Sequence, residues 1–229
     1  MKVDRRFAVL QQSLEKLFKT CGKYGTIFLK DRTGPVQDME GGARILLGNH
    51  NRKAETLMEQ EKYVAYVSTY TRGDKNGIKI YDVDMEKGRF IEKDKVEITN
   101  SSYVTISHNG KYLYSITDFG VESYLILQDG SLEFINFASN NGMRGCYVST
   151  DYTDRFLFVA GYHDGKLTVL KLAEDGSIGD ITDEVYHKGL GIIAERNSRP
   201  HINCARMTHD NKYLLVADQG MDHVNVYRF

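Results

Sequence analysis

One short pattern, a basic residue followed by aliphatic and aromatic residues, occurs four times in this chain. It gives KYVAYVSTYT from Lys62, KYLYSITDFG from Lys111, RFLFVAGYHDG from Arg155 and KYLLVADQG from Lys212. The spacings are 111−62=49, 155−111=44 and 212−155=57 residues. Runs of this composition are typical of β-strands, and a repeat of roughly 40–50 residues matches one four-stranded blade of a β-propeller. The sequence therefore predicts a repeat protein built from such blades.

Turn-forming residues separate the predicted strands. Tight-turn pairs directly precede three of the repeated strands, at Asn109-Gly110, Thr153-Asp154 and Asp210-Asn211. These residue types tolerate the positive φ of hairpin turns. The runs KYLYSI, RFLFVA and KYLLVA are nearly continuous in apolar residues, so each is predicted to be a central strand covered on both faces. We expect an all-β fold after residue 58, a partial β-propeller of about three to four blades.

The first 57 residues do not share this repeat. Apolar residues at helical spacing predict an amphipathic helix near residues 6–19, with Phe7, Leu10, Leu14, Leu17 and Phe18 on one face. GTIFLK at residues 25–30 predicts a short strand, and a loop rich in Gly separates it from ARILLG at residues 43–48. We therefore expect a short α/β leader over residues 1–57 and the blades over residues 58–229. Whether the leader is an appended segment, a packing cap or the consequence of a misassigned start codon stays open.

Composition and charge exclude several classes of protein. No apolar run approaches the ~20 residues that span a bilayer, and the N-terminus lacks the apolar core of a secretion signal, so we expect no membrane insertion and a cytoplasmic location. The basic residues are mixed with acidic ones and not interleaved with aromatics, which argues against nucleic-acid binding. Cys21, Cys146 and Cys204 are widely spaced and odd in number, so neither a disulfide framework nor a metal site is predicted.

Three segments resemble the lactonase family of seven-bladed β-propellers, of the 6-phosphogluconolactonase type, which also includes a fungal muconate cycloisomerase. They are YVSTYTRGDKNGIKIYDVD at residues 66–84, GCYVSTDYTDRFLFVAGYHDGKLTVLKL at 145–172 and RPHINCARMTHDNKYLLVADQGMDHVNVYRF at 199–229. The resemblance covers about three quarters of the chain, everything after Met58, in the order of the N-terminal half of the family. It implies that the blades here form part of a larger ring.

The resemblance also implies a function in carbohydrate metabolism, within the pentose phosphate pathway. The expected activity is a cofactor-free hydrolase that opens a sugar lactone at the mouth of the central channel, with no metal. Two alternatives stay open: a non-catalytic propeller fragment or binding module, and a lactone cycloisomerase of the muconate type. Because blades that do not close a ring leave sheet edges unpaired, we also expect possible self-association through those edges.

Five residues are candidates for the site, because they lie in or next to the predicted inner strands that line the channel. His201 is the candidate general base, since an unperturbed imidazole accepts protons near neutral pH. Arg144 can hold a phosphate or carboxylate through paired donors, and so can Arg206. Asn203 can orient the lactone or donate to the oxyanion that forms on its carbonyl, and Tyr147 can donate a hydrogen bond. Each has a purely structural alternative, such as a hydrogen bond between strands for His201 or a surface ion pair for the arginines.

The sequence departs from the family pattern at two of these positions. The family commonly has Pro-Cys-His where this chain has Gly145-Cys146-Tyr147, and Pro-His-x-His where it has Pro200-His201-Ile202-Asn203. Two imidazoles are therefore replaced by Tyr147 and Asn203. With a reference pKa of about 10, an ordinary tyrosine is a poor base at neutral pH, so His201 carries the expectation of general-base chemistry.

Overall fold

All regular secondary structure that can be described in this protein is β-strand. The computed structural model describes residues 27–31, 37–39, 63–71, 76–193, 195 and 197–229. These ranges contain sixteen strands and no helix, which confirms the predicted all-β class. No helix in the described ranges could cross a membrane. The helix predicted near residues 6–19 and the apolar run at residues 43–48 lie outside the described residues.

The strands form four antiparallel sheets that follow one another along the chain. The first sheet has the order β2-β1-β3-β4-β5, with β1 Ile27–Asp31, β2 Gln37–Met39, β3 Tyr63–Ser68, β4 Asn76–Asp84 and β5 Arg89–Glu97. The second contains β6 Val104–Ile106, β7 Tyr112–Ile116, β8 Gly120–Ile126 and β9 Leu132–Ser139. The third contains β10 Tyr147–Thr150, β11 Phe156–Gly161, β12 Lys166–Leu172 and β13 Ile178–Tyr186. The fourth contains β14 Ile202–Met207, β15 Tyr213–Asp218 and β16 His223–Arg228.

Each sheet is one propeller blade, and in the last three blades the first strand is the inner edge strand. The strands β6, β10 and β14 contact one another in sequence, and each pairs with the repeated strand that follows it, which is β7, β11 or β15. In the first blade the same position is taken by β1, which pairs antiparallel with β3 and contacts β6. Residues 27–31 therefore supply the inner strand of the first blade, a role that was not predicted from the sequence of the segment 1–57.

Three apolar cores lie between the four blades. Tyr66 and Ile80 of the first blade pack with Leu113 of the second, and two similar clusters join the second blade to the third and the third to the fourth. The strands β7 and β11 are buried on both faces, as predicted for KYLYSI and RFLFVA. Burial between blades thus holds the strands in one curved array.

The prediction for KYLLVA is wrong on one face. In β15 the side chains of Leu214 and Val216 are buried, but Tyr213 and Leu215 are 44% and 38% exposed. On the neighbouring strand β16, Val226 is 60% exposed and lies opposite Leu215 in the register. Since no described blade follows the fourth one, its outer face has no sheet to pack against.

The turns between the first two strands of each blade tie neighbouring blades together. The Asp154 carboxylate accepts hydrogen bonds from the backbone amides of His108 and Asn109 in the preceding blade, both at 2.8 Å. At the equivalent position of the next blade, Asn211 accepts from the Tyr152 amide at 3.0 Å. Asp154 and Asn211 have φ values of 53° and 58°, which confirms the positive φ expected for these turns. The left-handed turn conformation thus directs each side chain toward the previous blade.

The outer hairpin of the third blade also contacts the blade before it. Gly176 has a φ of 80°, and its carbonyl accepts a hydrogen bond from the Ser123 hydroxyl at 2.6 Å. A Cβ at Gly176 would lie 2.2 Å from the Tyr112 ring. This hairpin therefore requires glycine, both for its backbone conformation and for the close approach of Tyr112.

We predict that Gly176→Ala lowers the free energy of unfolding by about 3 kcal/mol, because a left-handed alanine and an overpacked contact each cost about 1–2 kcal/mol. Urea denaturation measures the change. The matched control is Gly179→Ala on β13, where the nearest atom to an added Cβ is the Lys171 carbonyl oxygen at 3.4 Å. Equal stabilities for the two variants would contradict this explanation of the hairpin.

Candidate active site

The candidate site lies at one end of the blades, where each inner strand begins and the following strand ends. Antiparallel pairing places these two points side by side: Tyr147 is opposite Ala160 in the third blade, and Ile202 is opposite Asp218 in the fourth. The segments before the inner strands carry Arg144 and His201. The topology therefore brings the two candidate residues to the same end of adjacent blades.

The His201 ring is fixed by two contacts with Tyr162. Its Nδ1 lies 2.7 Å from the Tyr162 carbonyl oxygen, and the two rings stack with centroids 4.3 Å apart and planes 15° apart. Since a carbonyl oxygen can only accept, Nδ1 carries a proton, so that in a neutral ring the lone pair lies on Nε2. The ring is partly exposed. The neutral ring can therefore accept a proton at Nε2, and the role of His201 as a general base stays a prediction.

A buried carboxylate holds the backbone at His201. Oδ1 of Asp218 accepts hydrogen bonds from the amides of His201 at 2.8 Å, Gly220 at 3.0 Å and Met221 at 3.1 Å. Oδ2 lies 2.6 Å from Nδ1 of His187, whose Nε2 lies 2.8 Å from the Tyr227 hydroxyl. Asp218 and His187 were not predicted from the sequence, although an aspartate also ends the equivalent run in the second blade, at Asp118.

Arg144 is held by residues of the first and second blades. Its Nη1 donates to Oδ1 of Asp118 at 3.0 Å, with both side chains 29% exposed, and its guanidinium lies 5.0 Å from the centre of the Tyr70 ring. Asn100 donates from Nδ2 to both Asp118 oxygens at 3.0 Å. Arg144 is therefore both an ion-pair residue, as the structural alternative proposed, and a partly exposed cation in a fixed position.

A thiol links the segments that carry Arg144 and His201. Cys146, two residues after Arg144, donates from Sγ to the carbonyl oxygen of Ile202 at 3.3 Å, and Ile202 directly follows His201. The two candidate residues thus lie on neighbouring segments joined by this contact. Asn203 is also exposed near this end, with its Nδ2 3.4 Å from Oε1 of Gln219.

Two of the five candidates lie apart from this group. Tyr147 is 7% exposed, and its ring packs against Tyr103 with centroids 4.6 Å apart. Arg206 is five residues after His201 along β14, a distance of about 15 Å at the usual strand rise. It lies opposite Leu215, on the open face of the fourth blade. Roles for Tyr147 and Arg206 in the chemistry stay predictions.

Metal and thiolate chemistry have no support from the side chains that the structure describes. Within those ranges, no three or more His, Cys, Asp and Glu side chains form a group that could hold a metal ion.

Burial raises the pKa of the Cys146 thiol to about 12. Since the thiolate is the nucleophilic form, this cysteine is poorly suited to attack a carbonyl at neutral pH.

We predict that iodoacetamide leaves Cys146 of the folded protein unmodified at pH 8, because a thiol with a pKa of about 12 is about 10⁻⁴ ionised there. Peptide mapping by mass spectrometry measures the modification. The same reaction in 8 M urea is the control and should alkylate Cys146 fully. Rapid alkylation of Cys146 without urea would contradict the buried, protonated thiol.

Comparison with known proteins identifies the family. The family model described as "Lactonase, 7-bladed beta-propeller" matches residues 64–229. A 6-phosphogluconolactonase from Bacillus subtilis (strain 168) is 36% identical over 173 residues, which cover 73% of this chain and 49% of the relative. The chain thus spans about half the length of the curated relatives it matches.

Solved structures agree with this result. A Bacteroides fragilis protein provisionally assigned as a 6-phosphogluconolactonase matches with a TM-score of 0.70 and 29% identity, over 76% of this chain and 50% of the other. The periplasmic gluconolactonase PpgL of Pseudomonas aeruginosa matches with a TM-score of 0.66 and 26% identity, over 73% and 50%. From the extent of the family match, the four blades and the order of their strands, we conclude that this chain belongs to the lactonase family of seven-bladed β-propellers.

Proposed function

We propose that this chain is a lactonase-family hydrolase that opens a sugar lactone, in the manner of a 6-phosphogluconolactonase. The observation that carries the proposal is the fixed His201 ring, whose Nδ1 is engaged by the Tyr162 carbonyl and whose Nε2 carries the lone pair. The 6-phosphogluconolactonase relative from Bacillus subtilis gives the class of substrate. The same proposal places the reaction in carbohydrate metabolism, in the pentose phosphate pathway.

The proposed reaction is attack of water on the lactone carbonyl. Nε2 of His201 takes one proton from the water as its oxygen forms a bond to the carbonyl carbon. The carbonyl oxygen becomes an oxyanion, for which Asn203 is the proposed donor. The carbon–oxygen bond of the ring then breaks, and the imidazolium returns its proton to the departing ring oxygen. The product is the open-chain acid, and the reaction needs no cofactor and no metal.

Arg144 is the proposed binding residue for the phosphate of the substrate. Its ion pair with Asp118 at 3.0 Å and the Tyr70 ring below it hold the guanidinium in one orientation. Because a guanidinium has five N–H donors, it can bind a phosphate while keeping the bond to Asp118. A cation held in place before the substrate arrives loses less side-chain entropy on binding than a free one.

A binding module without catalytic activity is the second candidate function. It is favoured by one observation: the chain covers 49% of its Bacillus subtilis relative, so groups that the relatives contribute from their other half are not supplied by residues 1–229. In this alternative, Arg144 and His201 bind the open-chain acid or a related anion but do not catalyse hydrolysis.

Self-association is proposed through the open face of the fourth blade, where Leu215 and Val226 are exposed. Such a contact would remove apolar side chains from water. The first blade does not expose apolar residues in this way. Its residues Ala65 and Tyr81 are buried, although neither belongs to the core that the first blade shares with the second. A monomer in sedimentation at micromolar concentration would contradict this proposal.

The cytoplasmic location expected from the sequence stays a prediction, which cell fractionation would test.

We predict that the purified chain accelerates hydrolysis of freshly made 6-phosphogluconolactone over buffer, and that His201→Ala lowers the rate by about 10²-fold or more, the usual contribution of a general base. A pH-stat follows release of the acid. His209→Ala is the matched control, because His209 is an exposed histidine in a turn at the opposite end of the blades. Hydrolysis no faster than buffer would favour the binding module.

We predict that Arg144→Gln raises KM for 6-phosphogluconolactone by about tenfold, because one charge-assisted phosphate contact contributes about 1.5 kcal/mol, and changes KM for unphosphorylated gluconolactone by less than about twofold. Initial rates with the two substrates give the comparison. The control is Arg228→Gln, an exposed arginine on β16. An equal effect of Arg144→Gln on both substrates would contradict a phosphate role.

A further inference from the structure

The proposed mechanism uses His201 but leaves a buried polar group next to it without a role. The group consists of His187, Asp218 and Tyr227. His187 directly follows β13, Asp218 ends β15 and Tyr227 lies on β16. The side chains of His187 and Asp218 are 3% and 0% exposed. Buried polar groups of this kind are costly to desolvate, so their arrangement calls for an explanation.

The Asp218 carboxylate has a hydrogen-bond donor for each oxygen. Three backbone amides point at Oδ1, including that of His201, and Oδ2 accepts from Nδ1 of His187 at 2.6 Å. Burial and the nearby Asp218 charge raise the pKa of the Tyr227 hydroxyl. The phenol therefore keeps its proton and shares a hydrogen bond with Nε2 of His187.

The turn that follows β15 packs tightly against the backbone next to His201. A Cβ at Gly220 would lie 2.0 Å from the carbonyl oxygen of Arg199 and 2.7 Å from the His201 nitrogen. The Asp218–Met221 turn is thus packed directly against the backbone on both sides of Pro200. Because the His201 amide donates to Asp218, we expect a shift of this carboxylate to displace the His201 backbone and so change the alignment of Nδ1 with the Tyr162 carbonyl.

We propose that Asp218 and His187 are positioning residues, which act through the His201 backbone to hold the imidazole in the tautomer that presents Nε2 to the substrate. The catalytic part of this inference rests on the proposed function of His201. The hydrogen-bond chain runs from Tyr227 through His187 and Asp218 to the His201 amide, and the side chains of His187 and Asp218 are buried away from solvent. It couples the edge strand β16 to the candidate site.

Two substitutions of His187 separate positioning from simple stabilisation. His187→Asn keeps an N–H group close to the place of Nδ1 and can still donate to Asp218. His187→Phe keeps the ring volume but leaves Oδ2 of Asp218 without that donor. Both variants lose the Tyr227 hydrogen bond, so both lose stability, and only His187→Phe loses the contact that holds Asp218. Asp218→Asn, which is isosteric and accepts more weakly, answers the same question if His187→Phe does not fold.

The first measurement is the tautomer of His201, read from the ¹⁵N shifts of its two ring nitrogens in the protein without substrate. We expect a single Nδ1–H tautomer in the wild type and in His187→Asn, and a mixture of tautomers in His187→Phe and Asp218→Asn. A single Nδ1–H tautomer in both of the latter variants would overturn the proposal. So would an equal mixture in His187→Asn and His187→Phe.

The second measurement is the rate of lactone hydrolysis by the same variants. We expect kcat of His187→Phe to fall by about tenfold or more, as for a misplaced catalytic group, with KM changed by less than about twofold, while His187→Asn stays within about threefold of the wild type. A parallel loss of kcat in both variants would contradict positioning. If the wild type shows no hydrolysis but the tautomer changes as expected, the proposed function fails and the role of Asp218 and His187 in holding His201 stands.

Discussion

The interaction on which the rest of the structure depends is the burial of each blade against the next. An antiparallel sheet with apolar residues on both faces is stable only when both faces are covered. The largest fully buried side chains, Tyr66, Tyr114 and Phe158, come from the repeated strand of successive blades. This packing brings the strand ends of adjacent blades together, and the turn contacts made by Asp154 then fix their spacing.

The polar groups at one end of the blades follow from the same constraint. Once the blades pack, the turn after β7 lies beside the segment that begins the next inner strand, β10, and the end of β15 lies beside the segment that begins β14 of the same blade. Aspartates at these two turns then meet different partners: Asp118 meets the Arg144 guanidinium, whereas Asp218 is buried and meets amides and His187. Aspartates near the ends of two repeated strands thus supply a partly exposed ion pair at the proposed phosphate-binding arginine and a buried support beside the proposed base.

Much of the fold could be predicted from local sequence, because strand composition and turn residues act over a few positions. The repeated strands and the positive-φ turn at Asp154 are examples. The inner strand at residues 27–31 was not recognised as part of a blade, because it comes more than 30 residues before the repeated strand with which it pairs. The site could be predicted only in part. His201 was found from its motif, but Asp218 and His187 are 31 residues apart and meet only through packing between blades.

The central claim is that the end of the blades carrying Arg144 and His201 binds the open-chain sugar acid, which is the product of the proposed lactone hydrolysis. The most direct test is a titration of the ¹⁵N-labelled chain with 6-phosphogluconate, followed by backbone and side-chain NMR. We predict saturable shifts confined to the segments around Arg144, Asp118 and His201, with no shifts in the turns at His108 and His209 at the opposite end. Shifts at those opposite turns alone, or none at millimolar ligand, would contradict the account.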